Sequence, residues 1–242
     1  MENKFISSTA NETIKRVKKI LAKGDENLFI IEGQHLINEA VNSGAKIEQI
    51  FELNTQNLFP NSIKITDNVL NSISTTKTPQ GSVALVRKPQ NTNVENNIVF
   101  CDNVQDPGNV GTIIRTALAF GFDTIYTNVD VYNPKIIRST QGAIFKIKVV
   151  KYTAAEQELM KLKQTHAVYM TTLDTDSVAY DSISYPTQNK VIVLGNEGRG
   201  INPNLYKYAT NKIYIPIYFE SLNVAVAAGI ILNECKRGNN EQ

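Results

Sequence analysis

The chain has 242 residues, 42% of them hydrophobic, and a formal net charge of +2. That length suits one large or two medium domains with ample surface to bury, and ordinary apolar content marks a globular protein. A charge so near zero does not by itself require a nucleic-acid partner, so the placement of Lys and Arg matters more than their sum.

The N-terminus, Met1-Glu2-Asn3-Lys4, has no apolar signal core, and no run approaches the ~20 apolar residues of a membrane span. The expected address is the cytoplasm, with no membrane partner. Cys101 and Cys235 stand alone, without metal spacing or a disulfide framework, which suits a reducing compartment. With His35 and His166 as the only histidines, a zinc site or a Ser-His-Asp triad lacks its raw material, and no metal is expected.

Residues 1–88 read as a small α/β unit. Ile14, Val17, Ile20 and Leu21 recur at helical spacing, while Lys15, Arg16, Lys18, Lys19 and Lys23 occupy the other face. That basic face suits either a solvated helix surface or a site for RNA phosphates. Leu28–Glu32 reads as a buried strand, Gln34–Asn42 as a helix and Lys46–Leu53 as a half-buried strand. A helix near Asp67–Ser74 follows, and Ser82–Arg87 closes the unit as its third strand. Before it, the polar turn Thr75-Thr76-Lys77-Thr78-Pro79-Gln80-Gly81 is placed to face a partner. Residues 89–97 have the composition of a linker.

The second unit, 98–242, alternates strands and helices. Ile98–Asp102 is a strand, and Asp106-Pro107-Gly108 punctuates the turn before a helix that Asn109 is suited to cap. Strands at 123–128, 147–150 and 167–172 alternate with helices at 134–142 and 154–163, the pattern of a mainly parallel sheet with helices on both faces. Lys190–Leu194 is a fully apolar strand running into Gly195-Asn196-Glu197-Gly198-Arg199-Gly200. The order Gly-x-x-Gly-x-Gly excludes the dinucleotide fingerprint, and no Walker Lys follows. Finally, Lys212–Ile217 reads as a strand broken at Pro216, after which Ser221 is placed as the N-cap of a small-residue helix.

Three stretches together resemble the signature motifs of the SpoU (TrmH) family of RNA ribose 2′-O-methyltransferases, of the SPOUT superfamily. They are Asn103–Ala117, Val193–Ile201, and Ile215-Pro216-Ile217 with Ser221–Ala227; Asn133–Ala143 also looks like the family's stretch between the first two. The resemblance implies a trefoil-knotted α/β methyltransferase domain preceded by a small L30e-like RNA-binding domain. It further implies a homodimer packed through the knot and S-adenosylmethionine as cofactor. The family's cofactor contacts fall on Leu194, Gly195, Ile215, Ile217 and Leu222, and its catalytic residues on Asn109, Arg115, Glu197, Ser221 and Asn223. One departure is visible: relatives carry a longer, Gly-containing insert where only Tyr218-Phe219-Glu220 follows Ile217 here.

The implied reaction is attack of a ribose 2′-hydroxyl on a sulfonium methyl, so the protein has to place two ligands and ease loss of a proton. The family reading assigns Arg115 to the hydroxyl, but a guanidinium is an awkward base because little of it is neutral at physiological pH. Positioning and stabilising the nascent alkoxide, with a substrate phosphate or water taking the proton, is the alternative. Ribosomal RNA is the favoured substrate, with transfer RNA or a non-catalytic RNA-binding or ribosome-assembly role as competing readings. The bland alternatives are also open: Asn109 and Ser221 as mere caps, and Arg115 as an ion-pair partner of Glu197.

Overall fold

The computed structural model describes residues 5–90, 95–218 and 220–237. Linker residues 91–94 and Phe219 of the shortened loop lie outside the described residues. The chain divides into two compact units, Met1–Gln90 with Tyr132–Phe145, and Asn91–Val131 with Lys146–Gln242.

The first unit runs β1 (Phe5–Ile6), α1 (Glu12–Lys23), β2 (Leu28–Glu32), α2 (Gln34–Asn42), β3 (Ile47–Leu53), β4 (Ile63–Ile65), α3 (Asp67–Ile73) and β5 (Ser82–Arg87). Its sheet has the order β1-β4-β3-β5-β2, with β5 antiparallel to both β2 and β3 and the other pairs parallel. The helical spacing of Ile14, Val17 and Ile20 does what amphipathic patterning requires: all three are buried, with Val69, Leu70 and Ile73 of α3, against Leu28, Ile30 and Leu85. The wholly buried Glu52 carboxylate is met by Lys64 Nζ at 2.7 Å, Ser62 Oγ at 2.8 Å and the Leu58 N–H. The strands β1 and β4, of two and three residues, are too short to show an alternating pattern, and the sequence reading passed over both.

In the second unit come β6 (Asn97–Cys101), α4 (Pro107–Ala119) and β7 (Thr124–Thr127), then α5 (Pro134–Thr140), which belongs to the first unit and contacts β2. There follow β8 (Lys148–Lys151), α6 (Ala155–Leu162), β9 (Ala167–Thr171), β10 (Val178–Ala179), β11 (Lys190–Leu194), β12 (Asn211–Tyr214) and α7 (Val224–Arg237). Every pairing in the sheet, ordered β10-β12-β9-β11-β6-β7-β8, is parallel. Such strands are buried on both faces and so are continuously apolar, as Val191–Leu194 and Ile98–Cys101 are. One face packs Ile98, Phe100, Val191 and Val193 under Leu159 and Leu162 of α6. The alternate residues Val99 and Ile192 point to the other face, where α7 meets β11 and packs along α4. Small residues on α7 permit that approach: Ala228 is fully buried, and Gly229 faces Thr116 of α4. Among the described residues, no helix is long and apolar enough to cross a membrane.

Candidate active site

Because β6, β11 and β9 are adjacent and parallel, their carboxyl ends deliver three loops to one edge of the sheet, where ligands of such sheets bind. The Asp102 N–H donates to the Leu194 carbonyl at 2.8 Å and extends the β6–β11 ladder into those loops.

The first loop enters α4 through Asp106, not Asn109. Asp106 has extended backbone, its Oδ1 accepts the Asn109 N–H at 2.9 Å, and Pro107 fills the first helical position. The expectation that Asn109 caps this helix is therefore corrected: Asp-Pro supplies both the acceptor and the preset φ, and the Asn109 side chain is released for other contacts. Its Nδ2 donates to Glu197 Oε1 at 3.0 Å, and its Oδ1 accepts from Asn223 Nδ2 at 3.0 Å.

Asn223, in turn, caps α7. Its Oδ1 accepts from the Ala225 N–H at 2.9 Å, and its carbonyl accepts from Ala227. Ser221 lies two residues before the cap, in a non-helical segment that lines the cleft, so its placement as the N-cap is also corrected. The helix starts where a side chain that meets both its own amides and Asn109 is available.

The glycine-rich loop is a tight turn closed by reciprocal backbone hydrogen bonds between Asn196 and Gly200. Asn196 Oδ1 gathers the Gly198 and Arg199 amides, and its Nδ2 donates to the Asn103 carbonyl at 2.9 Å. A Cβ on Gly195 would collide with the Gly200 and Ile201 backbone. Besides the cofactor contact that the resemblance implies for Gly195, its missing side chain lets the loop close on itself. Burial pushes the Glu197 carboxyl up, but hydrogen bonds from Asn109 and from the backbone N–H groups of Glu197, Asp106 and Gln105 outweigh it and hold the pKa below the ordinary value. Glu197 is an anchored carboxylate, not a proton acceptor near neutral pH.

The loops enclose a cleft of about 750 Å³ lined by Gly195–Ile201, Ser221–Val224 and Thr171–Asp174. Beside it lies a smaller apolar hollow of about 130 Å³, with Ile213, Ile215, Ile217 and Ile231 in its walls and Thr171–Leu173, Ser221, Leu222 and Ala227 common to both. Of the cofactor residues implied by resemblance, Gly195 lines the cleft, Ile215 and Ile217 line the hollow, and Leu222 lines both. Leu194 is buried at the strand end and lines neither. Thr171–Asp174 and Tyr206, whose hydroxyl donates to Thr172 Oγ1 at 3.0 Å, were missed. The signal was the strand end of β9, which becomes informative only once β9 is known to lie between β11 and β12.

Arg115 is exposed on α4 and has no ion pair or hydrogen bond among the described residues, so the pairing with Glu197 is not formed. In the first unit, the five basic residues of α1 are not equivalent. Lys15 pairs with Glu12, Arg16 with Glu48, and Lys18 reaches the Thr9 carbonyl. Lys19 and Lys23 are exposed.

Residues 96–233 match the SpoU rRNA Methylase family, and residues 11–84 match the MRM3-like substrate binding domain. The chain belongs to the SpoU rRNA methylase family. A 23S rRNA (guanosine(2553)-2′-O)-methyltransferase of Bacillus subtilis is 32% identical across 95% of this chain and 98% of its own length. A tRNA (guanosine(18)-2′-O)-methyltransferase of Aquifex aeolicus is 36% identical across 60% of this chain and 71% of its own. Among solved structures, the AdoMet-bound rRNA methyltransferase of Sinorhizobium meliloti superposes with a TM-score of 0.83 at 26% identity, covering 97% of each chain. As a SpoU family member the chain is an RNA methyltransferase built on the SPOUT fold, with an N-terminal substrate-binding domain.

Proposed function

We propose that this protein methylates a ribose 2′-hydroxyl of ribosomal RNA, using S-adenosylmethionine. The observation that carries the reading is the contact chain Glu197–Asn109–Asn223, which ties all three motifs together at the rim of one cleft.

The site suits the cofactor's shape: an apolar hollow for a flat base beside a polar cleft for a charged amino-acid end. Gly195, Ile215, Ile217 and Leu222 would hold it; when bound it supplies an electrophilic methyl on a sulfonium. Asn109 and Asn223 are fixed as amides whose free faces orient the ribose, with Ser221 beside them. Glu197 sets Asn109. Arg115, without a partner among the described residues, stabilises the alkoxide as the hydroxyl loses its proton to a substrate phosphate or water.

The same reading includes a trefoil knot in the second unit, a homodimer packed around it and a cytoplasmic site of action. Exposed apolar side chains of Tyr218, Leu222 and Val226, on and beside the third motif, support a partner surface there. The rRNA assignment rests on likeness to the Bacillus subtilis enzyme along almost the whole chain. The test is incubation with methyl-labelled S-adenosylmethionine and rRNA from cells lacking the gene, followed by nucleoside mapping. Label in a single 2′-O-methyl nucleoside is expected, and label in transfer RNA alone, or none, overturns the reading.

A further inference from the structure

The first unit carries a groove of about 540 Å³ away from the α1 face, lined by Asn27, Lys46, Arg87, Lys88, Gln90 and Phe145 among others. It forms where the start of β3 and the end of β5 meet, because β5 runs antiparallel to β3 and brings Arg87 beside Lys46: the Arg87 N–H donates to the Lys46 carbonyl at 2.9 Å.

The electrostatics of the groove are one-sided. Lys46 is exposed and has no partner among the described residues. Lys88 Nζ lies 4.6 Å from the centroid of the Tyr132 ring, and Tyr132 packs on Phe29, which also meets Phe145. Glu48 is already shared by Arg87 at 2.6 Å and Arg16 at 3.3 Å, two cations on one carboxylate. Of the acids on the neighbouring turn, Asp25 turns Oδ1 onto the Asn27 and Leu28 amides, and Glu26 stays exposed beside Asn27. Glu48 thus links Arg87 in the groove to Arg16 on α1 by ion pairs, without itself lining the groove.

We propose that this groove binds an unpaired segment of the substrate RNA, with phosphates on Lys46, Arg87 and Lys88 and a base beside Phe145 and the amide side chains of Asn27 and Gln90. Cations interleaved with an aromatic wall and amide groups are the chemistry of single-stranded RNA recognition, and a groove of this size takes an unstacked nucleotide, not a duplex. The proposal rests on the RNA reading above and names where the RNA is held.

The test compares the full chain with Lys46→Ala/Lys88→Ala and with the charge-matched control Lys161→Ala/Lys163→Ala, at the C-terminal end of α6. Binding to a loop-containing rRNA fragment is measured against salt without cofactor, and methyl transfer with it. Loss of two phosphate contacts on a single strand reduces the slope of log K against log salt by about 1.4. KM for RNA rises while kcat at saturating RNA is kept, and the control and the thermal midpoint do not move. Lys46→Glu alone, at an exposed position, gives the same direction should the double variant lose stability. Slope and KM unchanged in a methylating enzyme overturn the groove and leave the function standing. A wild-type chain that binds RNA with a groove-dependent slope yet transfers no methyl overturns the function and leaves the groove.

Discussion

Asn109 Nδ2 donates to Glu197 Oε1 at 3.0 Å, joining residues 88 positions apart in sequence. The orientation of that amide is dictated by chemistry: an ionised carboxylate only accepts, so the nitrogen must face Glu197 and the oxygen must face Asn223 Nδ2. Asn223 is oriented the same way, since its oxygen is committed to the α7 amides. Replacing Asn109 by Asp puts a second carboxylate against Glu197 and removes the donor. With about 1 kcal/mol for each of two hydrogen bonds and ~1.4 kcal/mol per tenfold in rate, kcat for Asn109→Ala falls roughly 30-fold. Asn109→Asp falls further, and steady-state kinetics at saturating RNA and cofactor check both.

Glu197 gives a pH signature of its own. Its folded pKa is depressed below the ordinary carboxylate value, so its contribution to stability is fully present above about pH 4.5 and is lost as pH falls through the lower folded value. Thermal midpoints of wild type and Glu197→Gln, measured from pH 7 to pH 3, are expected to differ at neutral pH and to converge at the acid end. A gap that persists at pH 3 shows that the carboxylate charge is not what anchors the loop.

Much of this site was legible in the sequence because its residue types and spacing are local properties. The amphipathic stripe of α1, the apolar run of β11 and the polar residues of all three motifs can be read without knowing the fold. The caps were misread because Asp106 and Asn109, or Ser221 and Asn223, are all competent cap residues within three positions, and only the tertiary contacts of Asn109 and Asn223 decide between them. Thr171–Asp174 stayed hidden for a different reason: their role depends on the strand order β12-β9-β11, a long-range fact. Likewise α5 follows β7 in an alternating pattern yet packs with the first unit, where Arg138 donates to Thr75 at 2.8 Å beside Glu32.

The first unit depends on one buried pair. Glu52→Ala leaves Lys64, largely buried, with the Gln56 carbonyl at 2.7 Å but no counter-charge, and removing one member of such a pair costs about 3–5 kcal/mol. The double variant Glu52→Leu/Lys64→Met removes both charges and is expected to recover most of that loss. Urea denaturation of the three proteins measures it, and a double variant no better than Glu52→Ala refutes the account.

Gly195 separates loop closure from ligand contact. An alanine there meets the Gly200 and Ile201 backbone, which cannot rotate away as a side chain tip can, so the loop opens and carries Glu197 from Asn109. Overpacking of this kind costs about 1–3 kcal/mol, and weaker cofactor binding follows because the same loop lines the cleft. Calorimetric titration with S-adenosylmethionine, beside a thermal melt, is expected to report both losses together.

Arg115 offers the cleanest division between stability and chemistry, because it is exposed and pairs with nothing among the described residues. Surface substitutions without partners change stability by less than about 0.5 kcal/mol, so Arg115→Ala should melt with wild type and bind S-adenosylmethionine normally. If Arg115 has the proposed role, its removal costs about 10²–10³ in kcat, and Arg115→Lys restores part of it by keeping the charge without the planar fork. An Arg115→Ala enzyme that turns over at the wild-type rate removes Arg115 from the mechanism. One that binds no cofactor shows instead that α4 is built around it.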